Sequence, residues 1–572
     1  MIYKMLKDEI KDLIKGDVED SKAVIQKYSH DYSIFEVSPE LVVFPKNVDD
    51  IKKLVKFVNE KRALGLINIS LTARGAGTDM SGGPLNTSVI LDMTRYMNGV
   101  LSVEEGNLGK QNSPLKNIFE ISGLAKVLPG TYYRDFEKET LKKSLIMPCY
   151  PASRELATVG GMVANNGAGE KTLKYGQNKD FVKSLKVVLS DGEEYEIYPL
   201  KKEELEAKIL ETNAQAEIYL RVWNLIKRNL EEIKQAKPKT SKNSSGYLIW
   251  DVWDPVNEIF DPVKLFVGAQ GTTGIITEIT YKLVKYEKHS RLLVVFLKDL
   301  KQIPELTNKL LENDLETLEI YDDHTLKFAV KFWRGFVKDK GFFGSIKYGF
   351  KFWPEFKMIL TGGIPKLVVL AEFVSDSVEE ILKEAQIAQS KIYSLGLKTL
   401  ITKSQEERDK YLAIRRDSFK LLSDHSKSLR TAPFIDDVII PPNNLPDYIP
   451  ELVEILDENK ILYTIAGHLG EGNLHVIPLM DFRDPKTQKI IEDLTEKVYD
   501  LVKKYDGSIT AEHNDGFIRT PYLEMMFGKK MVEIFEEMKD IMDSKNIFNP
   551  NKKVRATKET IKKYIIKSKV VR

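Results

Sequence analysis

The sequence predicts an α+β protein of more than one domain, and three observations carry that prediction. The chain has 572 residues, more than one hydrophobic core organises. Short apolar runs with strand character alternate with amphipathic helical stretches. LVVFPKNVDDIKKLVKFVNEK, from Leu41, reads as a buried strand, a turn at Pro45 and Asn47, and an amphipathic helix. Three glycine-rich pieces, each beside an apolar strand, follow in the first half.

The elements are justified in chain order. Ile2, Met5, Leu6, Ile10, Leu13 and Ile14 have helical spacing that stops at Gly16. Charged residues every few positions break this segment, unlike the core of a signal peptide, and no run reaches the length of a bilayer span. A cytoplasmic protein is the expectation. In the first glycine piece, LTARGAGTDMSGGP from Leu71, glycines at 75, 77, 82 and 83 let the backbone turn and bring N–H groups against a ligand. The piece fits a diphosphate, contacted by Arg74, Gly75, Ala76, Gly77, Thr78 and Gly82; by itself it also reads as a plain turn between strands. The second, PASRELATVGGMVANNGAGEKTLKYG from Pro151, offers small residues and amides suited to a large flat ligand. The third, LFVGAQGTTGIITEITYKLV from Leu265, closes a strand with more glycine and threonine.

Residues 200–237, charged and helix-prone, read as an insertion. After Tyr281 long amphipathic helices alternate with strands, which places domains at 1–285, 286–505 and 506–572. Within the second, residues 329–360 mix phenylalanine, tryptophan and tyrosine with lysine. Such a piece is either an interfacial membrane anchor or an ordinary element with its aromatics packed inward. A formal charge of +2, with basic residues spread along the chain, argues against a nucleic-acid partner. A lone cysteine, Cys149, excludes an internal disulfide or an iron–sulfur cluster held by this chain alone, so a second redox centre must come from a partner.

Two of the chain's seven histidines, His468 and His475, lie in IAGHLGEGNLHVIPL. Seven residues apart on a single strand they would face opposite ways, but glycines at 467, 470 and 472 permit a turn that brings the rings together. Imidazole pairs with a carboxylate bind zinc, manganese or iron.

These pieces together resemble the FAD-binding domain shared by vanillyl-alcohol oxidase and para-cresol methylhydroxylase, in its branch of FAD-linked D-2-hydroxy-acid dehydrogenases acting on D-lactate and glycolate. ARGAGTDMSGG resembles the pyrophosphate loop, PASRELATVGGMVANNGAG the segment along the isoalloxazine, and GAQGTTGIITE the loop after it; the match runs from about Val42 to Lys552. The resemblance implies a two-lobed α+β FAD domain completed by the C-terminal segment, with an α+β cap inserted. It implies FAD, contacted further by Pro151, Ala152, Ser153, Thr158, Gly160, Gly161, Asn165, Gly167, Gly271, Gly274, Ile275 and Ile276. Many relatives tether the flavin through a first-loop histidine; residues 72–84 contain none, so a non-covalent flavin is expected.

In SITAEHNDGFIRTPY the family's motif puts Glu512 as a metal ligand with His468 and His475, and His513 beside the flavin as general base. Glu471 stands where relatives carry aspartate. Arg415 matches the arginine that takes the substrate carboxylate. Ile435 occupies the position of a lysine found in relatives acting on 2-hydroxyglutarate, with Arg430, Lys427 and Arg519 as other cations for a second carboxylate. The expected reaction is metal-assisted oxidation of a D-lactate-like acid, with electrons passed to a quinone, a partner carrier or oxygen. Quinone as acceptor would suit a peripheral contact of 329–360 with the inner face of the membrane. Two other readings share the scaffold: an alkylglycerone-phosphate synthase-like transferase, and a non-catalytic FAD-binding subunit of an oxidase complex.

Overall fold

The computed structural model describes residues 2–65, 69–112, 118–331, 364–425 and 429–567. It has two compact units, residues 1–286 with 510–566, and residues 287–509 with 567–572. Both mix helix and sheet, the α+β class that the sequence predicts.

In the first unit β1 (Asp17–Glu19), β2 (Leu41–Phe44), β3 (Leu71–Arg74) and β4 (Val89–Asp92) form a sheet of order β1-β2-β4-β3, parallel except at β1. Every residue of β2 and β4 is buried, as befits parallel strands covered on both faces. Asn47 caps α1 (Val48–Ala63), its side chain accepting the Asp50 amide at 3.1 Å, and Ile51, Leu54, Val55 and Val58 form the buried stripe. The C-terminal stretch returns to this sheet: the Leu71 amide donates to the Ile547 carbonyl at 2.8 Å.

A second, antiparallel sheet is built from β5 (Val100–Glu105), β6 (Gly123–Val127), β7 (Val182–Val188), β8 (Glu194–Ile197) and β9 (Ile275–Lys285), in the order β8-β7-β9-β6-β5. The short helix α2 (Val159–Asn165) follows the second glycine piece's opening turn. The stretch 200–237 is helical, with α3 (Ala214–Arg228) at its centre. Val222, Leu225 and Ile226 share one buried cluster with Ile534, Phe535 and Met538. The stretch read as an insertion is thus part of the core.

Among the described residues the second unit is built around an antiparallel sheet that includes β10 (His289–Leu297), β11 (Thr317–Asp322), β12 (Leu367–Ser375), β13 (Lys398–Ile401), β14 (Leu462–His468) and β15 (Asn473–Met480). Their order is β13-β10-β12-β11-β14-β15, and the short strands Arg430–Thr431 and Val438–Ile439 both pair with β15. The helix α4 (Gln405–His425) carries Arg415. Of the aromatic and basic stretch 329–360, all beyond residue 331 lies outside the described residues, as does Lys427. Among the described residues no helix is long and apolar enough to cross a membrane.

Candidate active site

In the first unit the three glycine pieces come together. β3 ends at Arg74 and the chain turns through Gly75, where an added Cβ would lie 2.0 Å from Thr158 Oγ1; only glycine lets this loop meet the start of α2. Thr158 caps that helix, and Gly160 donates its amide to the Pro129 carbonyl at 2.8 Å. Arg74 is buried, its guanidinium donating to the carbonyls of Tyr28 at 3.0 Å and His30 at 2.7 Å. It therefore holds the 28–30 loop.

The amides at 81–83 are turned onto the chain's own carboxylates. Asp79 Oδ2 accepts from the amides of Ser81 and Gly83 at 2.9 and 2.8 Å, and Asp31 Oδ2 from that of Gly82 at 3.1 Å. A diphosphate reading of this loop accordingly narrows to Gly75, Ala76, Gly77 and Thr78. Burial, and then the Asp79 charge, push the Asp31 carboxyl up to about 7. Burial pushes the Lys552 ammonium down to about 7, against the pull of Asp31 and Asp79.

Side-chain amides fasten the loops to one another. Asn165 Nδ2 donates to Asp79 Oδ1 at 2.9 Å, and Gln270 Nε2 donates to Ser81 Oγ at 3.1 Å and Asn165 Oδ1 at 3.3 Å. Asn514 Nδ2 donates to the carbonyls of Asn165 and Gly268 at 3.1 and 2.9 Å, and the Gly516 amide to Gln270 Oε1 at 2.8 Å. Gly167 is held by Asn178, while Ile275 and Ile276 pair with Val188 and Val187 within the sheet. Pro151 and Ser153 sit in a turn, half-buried, with Ala152 exposed between them. Glycines that admit close backbone approach, backed by a fixed amide network, fit the extended diphosphate and ring system of FAD. Cys149 is wholly buried with Sγ on the Gly176 carbonyl, and burial raises its thiol far above the range of a reactive thiolate.

The first unit also carries Glu512 and His513. Glu512 is buried, with Lys242 Nζ 3.3 Å from Oε2 and His513 Nε2 3.9 Å from Oε1. Arg519 is fully buried and donates to the Asn514 carbonyl at 2.8 Å.

In the second unit the histidine pair occupies a hairpin. β14 and β15 pair with Ala466 opposite His475 and His468 opposite Asn473, so the two histidines are diagonal neighbours on one face. The turn closes tightly at Gly472, with φ at +79° and an added Cβ 1.8 Å from the Ile440 carbonyl oxygen. The Nε2 atoms face each other at 3.4 Å, the rings at 82°. Each Nδ1 meets a carboxylate: Glu319 Oε1 lies 2.6 Å from that of His468, and Asp436 Oδ1 3.3 Å from that of His475.

A carboxylate on Nδ1 fixes the ring with its Nε2 lone pair outward, the arrangement that surrounds metal-ligating imidazoles. Two nitrogens about 2.0–2.1 Å from a tetrahedral ion stand about 3.3–3.4 Å apart, so this pair fits a divalent cation. Arg415 is ion-paired with Glu319, and its Nη2 lies 3.3 Å from His468 Nδ1. Ile435 is fully buried, and Asp437 accepts from Asn473 Nδ2 at 3.0 Å.

Sequence reasoning missed Asp31, Asp79, Lys242, Gln270, Glu319, Asp436 and Asn514. Asp79 and Gln270 lie inside the glycine pieces and could have been found by asking where the loop amides find acceptors.

The family model described as an FAD binding domain matches residues 39–198, and that of the C-terminal domain of FAD linked oxidases matches residues 286–553. A D-2-hydroxyglutarate dehydrogenase of Escherichia coli (strain K12) is 26% identical over 549 residues, 94% of this chain and 50% of that protein. The chain thus spans about half the length of such relatives. A D-lactate dehydrogenase of Archaeoglobus fulgidus is 26% identical, covering 90% of this chain and 91% of its own, and glycolate oxidase subunit GlcD of Bacillus subtilis 24%, with 93% of each covered. Among solved structures, 4-ethylphenol oxidase from Gulosibacter chungangensis superposes with a TM-score of 0.65 at 15% identity, covering 97% of this chain and 98% of its own. p-Cresol methylhydroxylase does so with 0.65 at 14%, covering 96% of each. At these identities the two structures establish the fold.

Proposed function

Because this chain belongs to the FAD-linked oxidases, the flavoprotein family that its glycine loops resemble, we propose that it oxidises a D-2-hydroxy acid, D-lactate-like in size, to the 2-oxo acid. The observation that carries the reading is the pair His468 and His475, each ring tethered at Nδ1 by a carboxylate and the two Nε2 atoms 3.4 Å apart. Relatives named as D-lactate and D-2-hydroxyglutarate dehydrogenases support the substrate class.

When bound, FAD supplies a hydride acceptor at N5 and a divalent zinc, manganese or iron supplies a Lewis acid for the substrate hydroxyl. The chain's own residues do the rest. His468 and His475 hold the ion, and Glu512 is taken as third ligand on the strength of its motif alone. His513 takes the hydroxyl proton as general base. Arg415 orients the substrate carboxylate, its charge tempered by Glu319. With Ile435 apolar and buried, the reading favours a substrate with one carboxylate. Gly75 to Thr78 would contact the diphosphate, and Thr158 to Asn165 the flavin, without a covalent bond.

Two electrons then leave to a quinone or a partner electron carrier, for which residues 329–360 are the proposed membrane-side contact. The test is anaerobic titration of the yellow protein with D-lactate, glycolate and D-2-hydroxyglutarate, following flavin absorbance, with metal analysed on the same sample. One D-acid should bleach the flavin and a chelator should abolish the bleaching; FAD that no hydroxy acid reduces would overturn the proposal. His475→Ala should lose metal and at least about 10-fold in turnover while retaining FAD, and unchanged turnover would remove the metal from the mechanism.

A further inference from the structure

The segment carrying Glu512 is zipped, within the first unit, against residues 240–246. The Ser244 amide donates to the Thr510 carbonyl at 3.3 Å and Ser244 Oγ to the Ala511 carbonyl at 2.9 Å. Ser245 Oγ and the Gly246 amide donate to the two oxygens of Asp515 at 2.9 and 2.8 Å. Two lysines with wholly buried side chains stand along this zipper. Lys553 pairs with Asp515 at 2.7 Å, and Lys242 with Glu512 at 3.3 Å. An ammonium taken so far from water persists only beside an anion. Asp515 takes Ser245, Gly246 and Lys553, and Glu512 has Oε2 3.3 Å from Lys242 Nζ and Oε1 3.9 Å from His513 Nε2.

We infer that Lys242 is a positioning residue, anchoring one oxygen of Glu512 so that the other is presented for ligation. The inference rests on the reading of Glu512 as a metal ligand. Lys242 acts through the carboxylate. It has two opposed effects on a bound cation: its charge repels the ion, while its hydrogen bond fixes the ligand oxygen. The second prevails if Lys242 serves positioning, and the sign of the change on removing it is therefore diagnostic.

The experiment titrates Mn²⁺ into metal-stripped, FAD-loaded full-length protein by calorimetry, for the wild type, K242M, K242Q and K553M. The positioning role predicts Mn²⁺ affinity about 10- to 100-fold weaker in K242M, the range for removing a partner that orients a ligand, with the flavin spectrum unchanged. K242Q, which can still donate but has no charge, should fall between. K553M should unfold more readily yet bind Mn²⁺ as the wild type does, which separates ligand positioning from a general weakening of the zipper. Affinity unchanged or tighter in K242M, with the wild type binding, overturns the positioning role alone; if K242M does not fold, K242Q decides by the same criterion. No binding by the wild type overturns the metal reading and this inference together.

Discussion

Asp31 and Lys552 hold opposite departures from ordinary titration within one unit. The Asp31 carboxyl rises from 3.8 to about 7, so between about pH 4 and 7 the folded state binds more protons than the unfolded chain. Its contribution to stability is fully present below about pH 4 and is lost as pH rises through 7. Lys552 falls from 10.5 to about 7. There the unfolded chain binds more protons between about 7 and 10.5, and stability rises with pH. The two slopes meet near neutrality. In Asp31→Asn the side-chain oxygen can still accept from the Gly82 amide, but the lower slope vanishes. Urea unfolding of the variant should be flatter than wild type from pH 4.5 to 7; equal slopes would mean that Asp31 does not titrate in that window. Other residue-scale facts concern partners distant in sequence. Glu319 is 149 residues from His468, and Lys242 is 270 from Glu512. Neither position carries a local signal, since TLEIYD reads as an ordinary strand and SKNSSGY as a loop.

At the scale of elements, features were legible where local chemistry decides them. Proline and asparagine before an amphipathic run announce the cap and start of α1, and three glycines between two apolar runs announce the hairpin of β14 and β15. What the sequence could not give is register: a slip of one residue would send His475 to the other face, and here turn geometry sets it. Gly472, left-handed with its Cα hydrogens against the Ile440 carbonyl, is the residue that closes the turn. Gly472→Ala should cost at least about 1–2 kcal/mol from backbone strain alone, with more from the collision. Denaturant unfolding should show a lowered midpoint, and metal affinity should fall with it as the two rings lose register. A variant as stable as wild type would show that the turn accommodates a methyl group, and the tight closure would then explain nothing about the histidine pair.

At the scale of the whole molecule, the chain builds one unit, leaves it at residue 286, completes another, and returns at 510. The return supplies Asn514 and Gly516 to the glycine-loop network and Ile547 to the edge of β3. A flavin-binding unit assembled from two distant stretches is visible in sequence only through motif order, because composition is alike on both sides of the junctions. Each unit buries its own cluster, around Val187, Ile279 and Phe535 in the first and around Val294, Val368 and Leu370 in the second. The three loops that fit FAD belong to the first unit, and the histidine pair to the second. Unfolding of the whole chain is therefore expected to depart from a two-state transition. FAD, binding the folded first unit, should stabilise it by RT ln(1 + [L]/Kd), about 2.7 kcal/mol at a hundredfold excess over Kd. In scanning calorimetry of metal-free protein, added FAD should move one transition upward and leave the other near its place. If FAD shifts a single common transition, the units fold as one body, and the assignment of separate stabilities to them is wrong.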